Sequence, residues 1–338
     1  ELPTGALADL WGRKASAGLG LILQGVGNVI SGFSHEPLQF VVGYGITCIG
    51  VALWSGASDA LLYDSLKESG QEKQFAKVSS TNSMMFQAGI VLASLLGGYL
   101  YAIAIFWPYL LYGSALILAG LGYFAMVEPT IDSQVFTLKN YLRQTVAGVR
   151  ELGRTDSAFK VSIFYILVGG VTWSAQIFFN QNFAVELLLT PVQIGWVFAV
   201  TRIINSLIIW RLAHSAWLTR QRAFILFAIL VAVAYTPGYC VGQWLGVGLL
   251  MISTFASTAR HVLLGQYCNQ EFRSHNRATA ISALNMGVSL FYVLAMVVAG
   301  PIMEHHSTKL VYTLLGIFAL VTVWPLTGYV MVQKAEKE

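Results

Sequence analysis

Ten stretches of this chain, each about 18 residues or longer and nearly free of charge, follow one another from end to end. They are 15–33, 38–66, 78–102, 106–127, 158–180, 192–213, 223–239, 243–266, 278–302 and 310–332. A helix rising about 1.5 Å per residue needs about 20 apolar residues to cross a hydrocarbon core of about 30 Å. These stretches are apolar on every side, with scattered glycines, whereas a soluble helix shows one apolar stripe. Charged residues are 11% of the 338, against about 25% in a soluble domain. The surface of such a chain is built for lipid.

The charges then give the topology. Of the 20 Lys and Arg, all but Arg202, Arg260 and Lys309 lie before the first stretch, in the segments after every second stretch or at their edges (Lys160, Arg211), or at the end. Cytoplasmic loops retain positive charge, so those segments and both ends of the chain are expected on the cytoplasmic side. One of those segments is longer than the rest. Residues 128–160 repeat apolar side chains at Phe136, Leu138, Tyr141, Leu142, Val146, Val149 and Leu152. That spacing predicts an amphipathic helix on the cytoplasmic face. Four stretches precede it and six follow.

Several classes of function are excluded. No basic block alternates with aromatics, so no nucleic-acid partner is expected. Cys48, Cys240 and Cys268 have no pairing or metal-ligand spacing and read as small apolar residues. No Ser-His-Asp, HExxH, Walker or GxGxxG arrangement stands in a suitable context. The chain is therefore expected to have no catalytic residues, no metal and no cofactor.

The loop "GALADLWGRK" carries Gly5, Leu7, Ala8, Asp9, Gly12, Arg13 and Lys14 in one register. This resembles the signature loop between helices 2 and 3 of the major facilitator superfamily of secondary transporters, Leu10 replacing its usual basic residue. Ser55-Gly56-Ala57 with Tyr63-Asp64-Ser65-Leu66, and "RATAIS" at 277–282, are similar to further motifs of that family. Gly89, Ala93, Ser94, Gly97 and Gly98 follow its antiporter pattern without the proline. "SDALLYDSL" and "TARHVLLGQ" echo each other in the two halves, as parallel repeats do. The resemblance implies an all-α integral membrane protein of two six-helix bundles related by pseudo-symmetry. "ELPTGALAD" reads as the end of a span, so the first helix and most of the second are expected to be lacking. The domains expected are 1–127, the N-terminal bundle from the end of helix 2 to helix 6; 128–157, a cytoplasmic linker with the amphipathic helix; and 158–338, the C-terminal bundle of helices 7–12.

Candidate site residues follow from charge and polarity. Asp9 can accept from the unpaired N–H groups of the helix that RATAIS opens, and Arg13 can pair with Asp64. With Gly5 and Gly12 allowing close approach, these five residues are expected to form a latch that opens and closes with the carrier. Charged groups at membrane depth are costly and functional. Asp59, about 12 Å in, is a candidate proton carrier, or else an ion-pair partner of Arg260. Arg202 falls eleven residues after Pro191, about 16 Å deep and near the midplane. It cannot lose its proton, so it needs a wet cavity, an acid on another helix, or an anionic solute. Trp173, Gln176 and Asn180 form one stripe, with Trp173 and Gln176 set beside Asn205 and Asn285 as solute-binding candidates; helix-to-helix bonding is the alternative.

The function expected is secondary active transport of a small solute across the plasma membrane by alternating access, proton-coupled and efflux-like. The partners are the small-molecule substrate, protons and the lipid bilayer, for a monomer. Two alternatives stand: proton-coupled uptake of an organic anion, and a non-transporting membrane sensor with the same fold.

Overall fold

The computed structural model describes residues 12–71, 74–128, 138–273 and 277–335. Its helices are α1 (Arg13–Gly32), α2 (Pro37–Glu68), α3 (Phe75–Ile103), α4 (Phe106–Tyr123), α5 (Leu138–Leu152), α6 (Asp156–Ser174), α7 (Asn180–Glu186), α8 (Pro191–Ala213), α9 (Arg220–Tyr235), α10 (Gln243–Ala259), α11 (Gly265–Glu271), α12 (Arg277–His305) and α13 (Thr308–Ala335). Among the described residues there is no strand. Two rods are continuous through a wider turn: α6 runs into α7 through a π turn at Ala175–Phe179, and α10 into α11 through another at Arg260–Leu264. Each of the ten apolar stretches lies on one rod. Nine rods of the described residues are long and apolar enough to cross a membrane. The tenth, α4, carries Trp107, Pro108, Tyr109, Tyr112 and Tyr123 within 18 residues, which lowers its hydropathy.

The chain divides into two compact units, Glu1–Tyr141 and Leu142–Glu338. In the first, α1 packs between α2 and α4, and glycines set how closely. A Cβ added at Gly25 would stand 2.5 Å from the Gly113 carbonyl and 2.6 Å from Ile117 Cγ1; one added at Gly20 would stand 2.8 Å from the Gly50 carbonyl. The helix backbones touch there. Without a hydrophobic drive between helices in lipid, such packing is what holds them together. Gly25→Ala is expected to force α1 off α4 and cost about 1–3 kcal/mol, read as a lower unfolding midpoint of the purified protein. An unchanged midpoint would contradict this close packing.

The second unit has six rods and a larger core, with Phe164, Phe179, Phe183, Phe224, Phe227, Leu250 and Tyr312 fully buried. Its helix starts are capped locally. Thr155 accepts from the Ala158 N–H, and Thr190 with Gln193 makes a capping box ahead of Pro191. One cap is distant: Glu186 accepts from the backbone N–H groups of Thr308 at 2.6 Å and Lys309 at 3.1 Å. The carboxylate there satisfies two orphan donors at the positive end of α13.

The amphipathic helix expected from the spacing is α5, and the face of it that packs is not its apolar one. Val146 and Val149 are about half exposed, at 48% and 53%, while Glu151 is buried. The reason is polar. Glu151 accepts from Arg154 Nε at 2.7 Å and from the Arg273 N–H at 3.0 Å. Gly148 packs on the Thr279 backbone. The face between them docks, and the valines stay outside.

Candidate functional site

In the first unit the signature loop ends at Gly12, whose φ of +88° lies in the region that favours glycine. That turn points the first N–H groups of α1 at Glu128, which accepts from Arg13 at 2.6 Å and Lys14 at 2.9 Å. The Arg13 guanidinium forms an ion pair with Asp64 on α2, both largely buried. Gly5 and Asp9 lie outside the described residues. Asp59 belongs to α2, one turn before Tyr63, whose ring meets Phe75 edge-on at 5.4 Å. Sequence reasoning missed Glu128; an acid just after a span is the only signal, because its partners are more than a hundred residues away.

In the second unit Arg202 is half-buried at the middle of α8. Among the described residues no carboxylate pairs with it; the described acids of this unit, Glu151, Asp156, Glu186, Glu271 and Glu304, all stand at helix ends. Four of them are engaged there: Glu151 and Glu186 as above, Asp156 with Lys160 at 2.5 Å and Glu271 with Arg220 at 2.5 Å. Asn205, one turn on, is buried. With its amide nitrogen facing the Thr201 carbonyl at 3.3 Å, its oxygen accepts from the Phe255 N–H at 3.1 Å. It therefore pins α8 to α10 beneath Arg202.

Trp173 and Gln176 are half-buried, and the π turn that holds Gln176 separates them from Asn180. Asn180 is buried and accepts from Ser253 Oγ at 3.0 Å and from the Tyr312 hydroxyl, while Ser253 Oγ and Tyr235 Oη lie 2.8 Å apart. The Trp173–Gln176–Asn180 stripe read from the sequence is thus broken. The wider turn inserts one residue and turns Asn180 into the bundle, where it bonds helix to helix.

The Trp173 ring meets His261 edge-on at 6.4 Å. Asn285 is exposed on α12, one turn before Val288, which packs beside Gly169. Trp173 and His261 are therefore brought together, as are Arg202 and Asn205. A shallow groove over Leu207, Ile208, Arg211, Leu212, Ser215 and Trp217 at the end of α8 holds none of these residues.

Ten long apolar rods, two of them with a guanidinium near mid-length, define a multi-pass membrane protein. The sequence pattern of the Major Facilitator Superfamily matches residues 1–259. The chain belongs to that superfamily, a transporter family and not an enzyme family. An uncharacterized transporter, BU466, of Buchnera aphidicola subsp. Acyrthosiphon pisum (strain APS) is 28% identical over 107 residues, which are 32% of this chain and only 27% of that relative. Crystal structures of a bacterial homolog to the human lysosomal transporter Spinster, inward-facing, share the fold. The unoccupied form gives TM-score 0.65 at 16% identity, covering 97% of this chain and 83% of that one. The occupied form gives 0.68 at 14%, covering 98% and 84%. Two six-helix bundles related by pseudo-symmetry are the fold of this chain's class.

Proposed function

We propose that this protein moves a small solute carrying an anionic group across the plasma membrane by alternating access, coupled to protons and without ATP. The observation that carries this reading is Arg202, a permanent cation at mid-depth with no carboxylate beside it among the described residues. Transfer of such a group to the centre of a bilayer costs about 2.5–3.5 kcal/mol on translocon scales. A carboxylate or phosphate on the solute offsets that cost, and a guanidinium fork suits either group. Secondary carriers bind solutes at this depth. Asp59 is the proposed proton carrier, since a desolvated carboxyl can take up and release a proton near neutrality. Arg13, Asp64 and Gly12, with Gly5 and Asp9, are proposed as the latch. The Lys- and Arg-rich segments and both ends of the chain are assigned to the cytoplasm, and the carrier to a monomer.

Direction divides two readings. The Gly89–Gly98 pattern favours efflux; the unpaired Arg202 favours uptake of an organic anion. Proteoliposomes holding a pH-sensitive dye separate them. A panel of aromatic and aliphatic carboxylates, added on one side, is expected to drive proton movement opposite to the solute for efflux and with it for uptake. Proton movement indifferent to every member of the panel would instead support a non-transporting sensor.

A further inference from the structure

The second unit holds another cation with no carboxylate paired to it among the described residues, and it is more deeply enclosed than Arg202. Arg260 opens the π turn Arg260–Leu264 and is 1% exposed. Its guanidinium lies over the Tyr165 ring, 4.8 Å from the centroid, which supplies some cation–π attraction. Nη2 lies 2.9 Å from His261 Nε2. A guanidinium only donates, so that ring nitrogen is the bare one. Nε and Nη1 have no hydrogen-bond partner among the described residues. Gly169 makes the room: a Cβ there would collide with Nη1 and stand 2.6 Å from Val288 Cγ2.

A buried guanidinium with two unanswered nitrogens is among the least stable arrangements a protein can hold. The described acids of its own unit do not supply the counter-charge, because each stands at a helix end. His261 is the informative neighbour. It is exposed, it sits on the wider turn, and its neutral nitrogen occupies an acceptor position where a carboxylate oxygen would bind better. Trp173 lies edge-on beyond it. We infer that Arg260 is a second anion site of the carrier, taking the carboxylate of an aromatic or apolar acid, and that His261 caps it and swings aside when the acid arrives.

The site stands apart from Arg202. Asn205 bonds to the Phe255 N–H, so these residues share a level on two rods that run in the same direction. Arg202 is three residues to one side of that level and Arg260 five to the other. The two cations are thus offset by about 12 Å along the rods at 1.5 Å per residue. They can serve a solute in turn but cannot clamp one small carboxylate together. The inference rests on the proposed carrier reading only for the source of the acid.

The test is equilibrium binding of radiolabelled benzoate to purified full-length protein in an Arg202→Ala background, with benzyl alcohol and chloride as controls. Benzoate is expected to bind and both controls to bind at least tenfold more weakly. Adding Arg260→Gln should weaken benzoate by about tenfold or more, the worth of charge-assisted hydrogen bonds. Adding His261→Ala, a change to an exposed side chain, should tighten benzoate about threefold or more, because a competing acceptor is gone. No benzoate binding, equal binding of chloride, or unchanged affinity in Arg260→Gln would overturn the site. Should Arg260→Gln fail to fold, His261→Ala decides alone: unchanged or weaker binding overturns it. Solute flux that fails in the parent protein, with Arg202 intact, while these binding results hold contradicts the carrier reading and leaves the site standing.

Discussion

Arg202→Ala is expected to abolish measurable solute transport and to weaken solute binding by about 2–5 kcal/mol, roughly thirtyfold or more, while the protein still folds. The loss is large because the partner charge would be left in the membrane interior without its cation. Folding should survive because Arg202 makes no ion pair among the described residues and Asn205, not Arg202, fixes α8 to α10. Arg202→Lys keeps the charge but replaces a bidentate fork with a point charge, so intermediate affinity is expected. Equilibrium binding of any carboxylate that proves to be transported checks both. Unchanged affinity in Arg202→Ala would remove the residue from the solute site, and loss of folding alone would make it structural.

Asn180→Leu carries the largest stability effect. The amide oxygen answers Ser253 and Tyr312 at once inside a shell closed by Tyr235 and Phe183, whose ring stacks on Tyr312 at 4.0 Å. Single hydrogen bonds between membrane helices are worth less than about 2 kcal/mol, but the cost of removing a shared acceptor is different. It leaves a buried hydroxyl unanswered, at about 1–3 kcal/mol, and disturbs a linked network. We expect about 2–4 kcal/mol in a reversible unfolding experiment. Combining it with Tyr312→Phe should return part of that loss, since both halves of one bond are then apolar. A double variant less stable than the sum of the singles would contradict the assignment.

What could be read from the sequence, and what could not, divides along physical lines. The ten rods were legible because length and all-round apolarity have one structural solution in lipid. The Arg13–Asp64 pair was legible because both residues sit near span ends, where depth can be counted. Glu128 and Glu186 were not, because each caps a helix more than a hundred residues away in sequence. Neither π turn leaves a periodic signal, and the one at Ala175–Phe179 is what sends Asn180 into the bundle. On α5, the apolar spacing predicts a helix but not the face that docks, which the charged contacts of Glu151 set. Arg202 and Arg260 stood out as charges at depth, yet that no carboxylate pairs with either among the described residues required coordinates. Which anion they meet depends on groups that no local pattern encodes.

Alternating exposure of the membrane interior is the central claim, and one labelling experiment addresses it most directly. A single cysteine is placed at Gln176, half-buried beside the wider turn, in a protein whose 3 native cysteines are replaced. Membrane-impermeant thiol reagents are then applied separately to the two faces of sealed vesicles, with and without Asp9→Asn. An alternating carrier predicts labelling from both faces in the parent, with Asp9→Asn raising the cytoplasmic rate and lowering the opposite one. Labelling from one face only, unchanged by Asp9→Asn, would contradict the account.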